Sequence, residues 1–237
     1  MINQIILLAL LGCTIIPKKI PLKSDGGWKE IFESSTNADP KDPSRWTVSD
    51  GSISFRGNLV QGDCDKFKTL VTAETKTLIV RSQGGPVSEG LCIAQAMKKN
   101  NFAKTIVSGV CFSSCANYLF LGSPSRIIQS GVVGFHGNIN ALVKQNPEMI
   151  AKSNPYREKF LEEMKVEMNF LEELGVSQEF FDLTQRADKG NDDNGKYSFL
   201  VPSPETFEKF GMKNIKGTQD QDLVKLLWEK GFLLLYK

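Results

Sequence analysis

The sequence predicts an α/β fold with a mainly parallel sheet, and three observations carry that expectation. Between residues 50 and 137, β-branched runs alternate with amphipathic helical stretches. The links between them are short. A double glycine, Gly84-Gly85, stands where one such run turns into a helix. Strand and helix in alternation with short links require βαβ crossovers, and hence parallel strands. The 237 residues suit one domain of this class with an arm or an inserted helix, and they suffice to bury a core.

The elements follow in order. Ile5 to Gly12 form an apolar run that ends at Cys13. It is too short to span a bilayer and has the length of a signal-peptide core. Leu10-Leu11-Gly12-Cys13 resembles a bacterial lipobox, which implies cleavage, lipidation of Cys13, export to the periplasm or outer surface, and a membrane anchor. No Lys or Arg precedes the run, and Leu11 is bulky for that motif; the other reading is a buried apolar N-terminal strand. Residues 14–50, with Pro17, Pro21, Pro40 and Pro43, read as a linker and N-terminal extension anchored by Trp28 and Trp46. The domain is expected over residues 51–237, with a helical arm at about 145–187.

Within the domain, Ile53-Ser-Phe-Arg alternates as a half-buried strand, and residues 63–73 read as a helix with Phe67, Leu70 and Val71 on one face. Thr77-Leu-Ile-Val-Arg reads as a buried parallel strand. After Ser82-Gln-Gly-Gly-Pro comes a helix with Val87, Leu91, Ala94 and Met97 at helical spacing. Lys104-Thr-Ile-Val-Ser-Gly-Val is the next strand, residues 113–121 a short apolar helix, and Arg126-Ile-Ile and Val132-Val-Gly-Phe-His two short strands. Residues 148–174 read as a long helix broken near Asn154-Pro155, with a stripe of Phe160, Met164, Met168 and Leu171. That stripe either packs on its own domain or mates with a second subunit in a homo-oligomer. A helix at 178–187, a polar loop at 188–195, a strand at 197–201 and a helix capped by Ser203 with Pro204 follow. The last stretch, 220–236, is amphipathic and then strongly apolar.

Composition narrows the function. A net charge of +2 with 24% charged residues, and no basic patch interleaved with aromatics, gives no basis for nucleic-acid binding. Lys18-Lys19 and Lys98-Lys99 read as solvated surface. If Cys13 carries lipid, then Cys64, Cys92, Cys111 and Cys115 remain; an even set in an exported chain permits disulfides, with three pairings open. Cys111 and Cys115 make a poor zinc signal beside a single histidine, and no metal or other cofactor is expected.

The chemistry centres on Ser113. It lies between a buried strand and an apolar helix, at the carboxyl end of the strand, where α/β sheets open their crevices. Such a serine by itself is an ordinary helix cap. His136, the only histidine, ends an apolar strand between Gly134 and Gly137; a neutral imidazole in reach of Ser113 would serve as general base. An acid should orient its other nitrogen, and Asp182, Asp188, Asp192 and Asp193 are the candidates. Gly84-Gly85 would let backbone N–H groups approach a ligand.

Taken together these segments resemble the ClpP/crotonase superfamily. Leu78-Ile-Val-Arg-Ser-Gln-Gly-Gly-Pro-Val-Ser-Glu-Gly is similar to the ClpP stretch with Ser-Pro-Gly-Gly, Gln83 standing for the proline. Gly109-Val-Cys-Phe-Ser-Ser-Cys-Ala resembles Gly-x-Ala-Ala-Ser-Met-Gly-Ala, and Arg126 followed by Gly134-Phe-His136 resembles the strand that delivers the family's histidine. The Cys-x-Ser-x-Cys form is closer to exported ClpP-like proteins of bacteria. The resemblance covers residues 50–137 well and 180–216 weakly. It implies a ClpP/crotonase-like spiral of ββα units, Ser113 as nucleophile, His136 as base, and the N–H groups of Gly85 and Ser114 as oxyanion hole. Thr184-Gln-Arg-Ala-Asp188 resembles the family's Thr-x-Arg-Asp segment with Asp188 one residue late, and the loop at 189–195 is extra. The implied activity is a cell-envelope serine hydrolase of the peptidase type on peptide or protein substrates. The alternatives are a non-catalytic binding or assembly module on the same fold, and a crotonase-type acyl-CoA enzyme. A Ser–Lys dyad finds no lysine that stands out as its base.

Overall fold

The computed structural model describes residues 39, 41–189, 199–229 and 233–236, with positions 186–189 and 233–236 described by backbone alone. The lipobox-like segment with Cys13, and Trp28, lie outside the described residues. The chain forms a mixed α/β structure around a six-stranded, mostly parallel sheet. Its strands are β1 (Trp46–Ser49), β2 (Ser52–Arg56), β3 (Thr77–Ser82), β4 (Lys104–Phe112), β5 (Ser125–Gly134) and β7 (Ile215–Gly217), side by side in that order. Only the β1–β2 pair is antiparallel. A second, two-stranded parallel sheet joins β6 (Phe199–Pro202) to β8 (Leu233–Tyr236).

The sheet therefore starts at Trp46, inside the segment read as extension. Trp46 stacks on Phe55 across the β1–β2 pair, with ring centroids 4.2 Å apart. The preceding residue, Arg45, forms a buried ion pair with Asp63 at 2.8 Å, and Asp63 also accepts from the Trp46 indole at 3.0 Å. The two short strands expected at 126–128 and 132–136 are a single ten-residue strand, β5.

Helices α1 (Asp63–Leu70) and α2 (Val87–Lys99), with a π-helix at Cys115–Phe120, cover one face of the sheet. Apolar periodicity alone accounts for α2: Leu91, Ala94 and Met97 are buried on one face. A Cys64–Cys92 disulfide ties α1 to α2. Glu89 of α2 adds two bonds, accepting the N–H groups of Gly62 and Cys64 at 3.0 and 2.7 Å. The other face is covered at the carboxyl ends of β4 and β5, where Val110, Phe112 and Val132 pack against Val201 of β6 and against Leu223, Val224 and Leu227 of α7 (Gln221–Glu229).

The long helix is interrupted as its Asn-Pro predicts: a 3-10 turn at Pro147–Ile150 precedes α4 (Arg157–Leu174). A separate helix, α3 (Ile139–Gln145), is capped by Asn138, whose side chain accepts from the Ala141 N–H. The buried positions of α4 are Glu167, Phe170 and Leu171, while Met168 is exposed. Of the expected stripe, Leu171 is buried, Phe160 and Met164 are half-buried and Met168 is exposed, while Glu167 occupies a core position that a hydrophobicity pattern cannot assign to it. Helices α5 (Gln178–Lys189) and α6 (Pro204–Lys209) complete the set among the described residues, and Ser203 caps α6 as read.

Two glycines set the spacing of β4 and β5. The ladder slips between Val107 and Ser108, and just beyond it Gly109 pairs with Gly131. A Cβ on Gly131 would fall on the Gly109 carbonyl oxygen. Gly131→Ala should therefore spread the strands and cost about 1–3 kcal/mol, read as a lower midpoint in urea unfolding with an unchanged slope.

Candidate functional site

Three turns meet at one edge of the large sheet. β3, β4 and β5 are adjacent and parallel, so their carboxyl ends emerge together. After β3 comes Gly84-Gly85, after β4 comes Ser113, and after β5 comes His136. Register aligns the last two: Phe112 is paired with Gly134, and the Ser113 N–H donates to the Gly134 carbonyl at 3.2 Å. The consequence is a Ser113 Oγ to His136 Nε2 distance of 2.6 Å, with both side chains half-buried. That separation allows direct proton transfer between hydroxyl and imidazole.

Ser113 turns the chain from strand into helix with φ of 55°. The left-handed region is unfavourable for a residue with a Cβ, and such strain persists where surroundings impose it. Gly84 is part of those surroundings. Its φ is 94°, and a Cβ there would lie 2.8 Å from Ser113 Cβ and 2.7 Å from the Phe112 carbonyl oxygen. Gly85 is pressed just as closely against Leu59, which also donates its N–H to the Gly84 carbonyl at 2.7 Å. The residues expected to supply oxyanion donors are joined directly: the Ser114 hydroxyl donates to the Gly85 carbonyl at 2.7 Å. The Ser114 N–H belongs to the first helical turn, whose donors lack intrahelical acceptors. The Gly85 N–H has no acceptor among the described residues.

His136 is held from both sides. Phe135 exchanges two backbone hydrogen bonds with Leu200 of β6, at 3.0 and 2.7 Å. The next strand residue, Phe199, meets the His136 ring edge to face at 5.1 Å and stacks on Phe112 at 4.6 Å. Past the histidine, the Gly137 N–H donates to Thr184 Oγ1 at 2.8 Å and its carbonyl accepts from Asn117 Nδ2 at 2.7 Å. Gln185 fills the space where Gly137 lacks a side chain. The Thr184 segment of α5 thus packs beside the histidine.

Of the four candidate carboxylates, only the Asp182 side chain is among the described residues. Asp182 binds Lys144 at 2.7 Å and accepts from Gln178 at 3.0 Å. Asp188 falls one helical turn beyond Thr184 in α5, and its side chain lies outside the described residues, as do Asp192 and Asp193 altogether. Arg126 is the second residue of β5, at the far end of the strand from His136. Its guanidinium donates to the carbonyls of Lys213 and Leu121 at 2.7 and 2.8 Å, and burial lowers its pKa to about 10. Among the described residues no group of side chains could hold a metal ion.

The chain matches no protein-family model and no curated protein. What ties Ser113 to His136 is the geometry of this chain alone.

Several supporting residues escaped the sequence reading. Asn117 had a faint signal, being the only polar residue in Cys115-Ala-Asn-Tyr-Leu-Phe-Leu. Glu167 had none, because α4 carries many glutamates. Yet Glu167 is fully buried behind the site. It accepts the Tyr118 hydroxyl from the π-helix and the Ile139 N–H at 2.9 Å from the start of α3. Desolvation raises its pKa from 4.5 to about 7, against the opposing pull of these hydrogen bonds. Burial likewise pushes the Tyr118 phenol well up, with the Glu167 charge adding to it.

The sign of the stability effect follows. Between pH 4.5 and about 7 the unfolded chain has lost the Glu167 proton that the folded chain retains. Stability from this group is therefore complete below that window and declines through it as pH rises, by at most about 1.4 kcal/mol per pH unit. In Glu167→Gln the decline should vanish. Urea midpoints of wild type and variant, followed across the window, would run parallel if Glu167 kept an ordinary pKa.

Proposed function

We propose that this protein is an exported serine hydrolase of the peptidase type, built on a ClpP/crotonase-like fold. The observation that carries the reading is the 2.6 Å contact between Ser113 Oγ and His136 Nε2 at a strained strand-to-helix turn. Ser113 Oγ attacks an acyl carbonyl while His136 Nε2 takes its proton. The carbonyl oxygen becomes an oxyanion that the N–H groups of Gly85 and Ser114 stabilise. Collapse expels the amine or alcohol, protonated by His136, and leaves acyl-Ser113. Water, deprotonated by the same imidazole, releases the acid and restores the hydroxyl. Asp188 is the carboxylate assigned to orient His136.

Two disulfides support an oxidising compartment, in keeping with the lipobox-like Leu10-Leu11-Gly12-Cys13 and an anchor at Cys13. Nucleotide-driven unfolding has no place outside the cytoplasm, so the substrates are short or already unfolded peptides. A homo-oligomer is the assembly the family resemblance implies.

A fluorophosphonate probe tests the chemistry. Ser113 should form a covalent adduct, and Ser113→Ala should abolish it. His136→Ala should slow it by about 10³-fold or more. The rate should fall on acidification, since an imidazolium cannot accept the serine proton. Absence of any adduct in the wild-type chain would leave the non-catalytic binding module as the reading.

A further inference from the structure

The second disulfide, Cys111–Cys115, encloses the candidate nucleophile. Cys111 is the penultimate residue of β4 and Cys115 the first of the π-helix, each two positions from Ser113. Both are completely buried. In this respect the turn differs from the Gly-x-Ser-x-Gly elbow of α/β-hydrolases, where glycines occupy both flanking positions and allow the sharp bend. Here a covalent tie spans the bend instead.

The backbone at this bend is strained. Four non-glycine residues among those described have positive φ: Asp50, Asn101, Ser113 and Asn214. Asp and Asn tolerate the left-handed region because their short side chains bond locally. Ser113 is the member of the set whose residue type does not account for its conformation. An extended chain would separate residues 111 and 115 by about 13 Å, whereas the disulfide holds their Cα atoms at 5.2 Å. While it is intact the turn cannot straighten into a continuation of β4. The elbow is coupled onward to the base, since Asn117 donates its N–H to the Ser113 carbonyl at 2.8 Å and its side chain to Gly137, beside His136.

We infer that the Cys111–Cys115 disulfide is a positioning clamp for Ser113, so that the hydroxyl becomes reactive only once the two thiols have been oxidised. The inference rests on the hydrolase reading above. The step consumes one disulfide-bearing oxidant: Cys111-SH, Cys115-SH and R–S–S–R give the intrachain disulfide and two R–SH. In a reducing compartment the chain would fold with a slack elbow and remain silent until export.

Loop size separates this role from general stabilisation. Cross-links stabilise by restricting the unfolded chain, more so for long loops. The Cys64–Cys92 bond spans a separation of 28 residues and Cys111–Cys115 a separation of 4. The larger loop should dominate the melting temperature and the smaller one the reactivity of Ser113.

The test uses the full chain carrying Cys13→Ser, Cys64→Ala and Cys92→Ala, in which only Cys111 and Cys115 can pair. Labelling by the fluorophosphonate is timed for the disulfide form, for the dithiol form refolded under a thiol reductant, and for the dithiol form reoxidised with oxidised glutathione. The dithiol form should label at least about tenfold more slowly, reoxidation should restore the rate, and reduction should lower the melting temperature less than Cys64→Ala/Cys92→Ala does in the wild-type chain. Equal rates in the two redox forms overturn the inference while leaving the hydrolase reading intact. A dithiol form that cannot fold also overturns it, because the bond would then act on the whole fold. A wild-type chain that takes no label removes the hydrolase reading, and this inference with it.

Discussion

The parallel ladder of β3, β4 and β5 is the constraint on which the rest depends. Parallel strands that are neighbours end at the same edge, so whatever follows each strand is brought into one place. Here those successors are a double glycine, a serine and a histidine, at positions 84–85, 113 and 136 of the sequence. Hydrogen-bond register then does what no local propensity could. The pairing of Phe112 with Gly134 sets Ser113 beside the histidine loop. Close approach of Gly109 and Gly131 tightens the two strands just below that point.

Around the ladder, buried polar ties hold the turns in their conformations. Asn117 and Thr184 secure the carbonyl and N–H of Gly137. Glu167 bridges the π-helix and the start of α3. On the other flank, Glu89 and the Cys64–Cys92 bond fix α1 to α2, and so hold Leu59 against Gly85. Unsatisfied groups buried at these places would each be costly, so the loops bearing the candidate chemistry have little freedom to rearrange. A short disulfide across the nucleophile turn belongs to the same pattern, with a covalent bond where the others use hydrogen bonds.

Much of this was legible before the fold. The β-branched runs at 77–81 and 104–110 were strands because they had the length and composition of buried parallel ones, and α2 showed a clean apolar face. Ser203 and Pro204 marked the start of a helix by the ordinary rules of capping. Short or polar elements were less readable. β1 and β7 have four and three residues, and they are strands because a neighbouring strand offers them partners. The core face of α4 was read only in part, at Leu171, because another of its buried residues is a glutamate that bonds a tyrosine from elsewhere in the chain.

By itself, the sequence determined the class of fold and the identities of the candidate nucleophile and base, because strand composition, glycine placement and a single histidine are local properties. Only the tertiary structure decided that Ser113 and His136 touch, that Cys111 pairs with Cys115 and Cys64 with Cys92, and that Asp182 is engaged by Lys144. Each of those facts is a pairing between residues whose sequence spacing leaves several partners open. A pairing is settled only when the strand order and register of the sheet have been chosen.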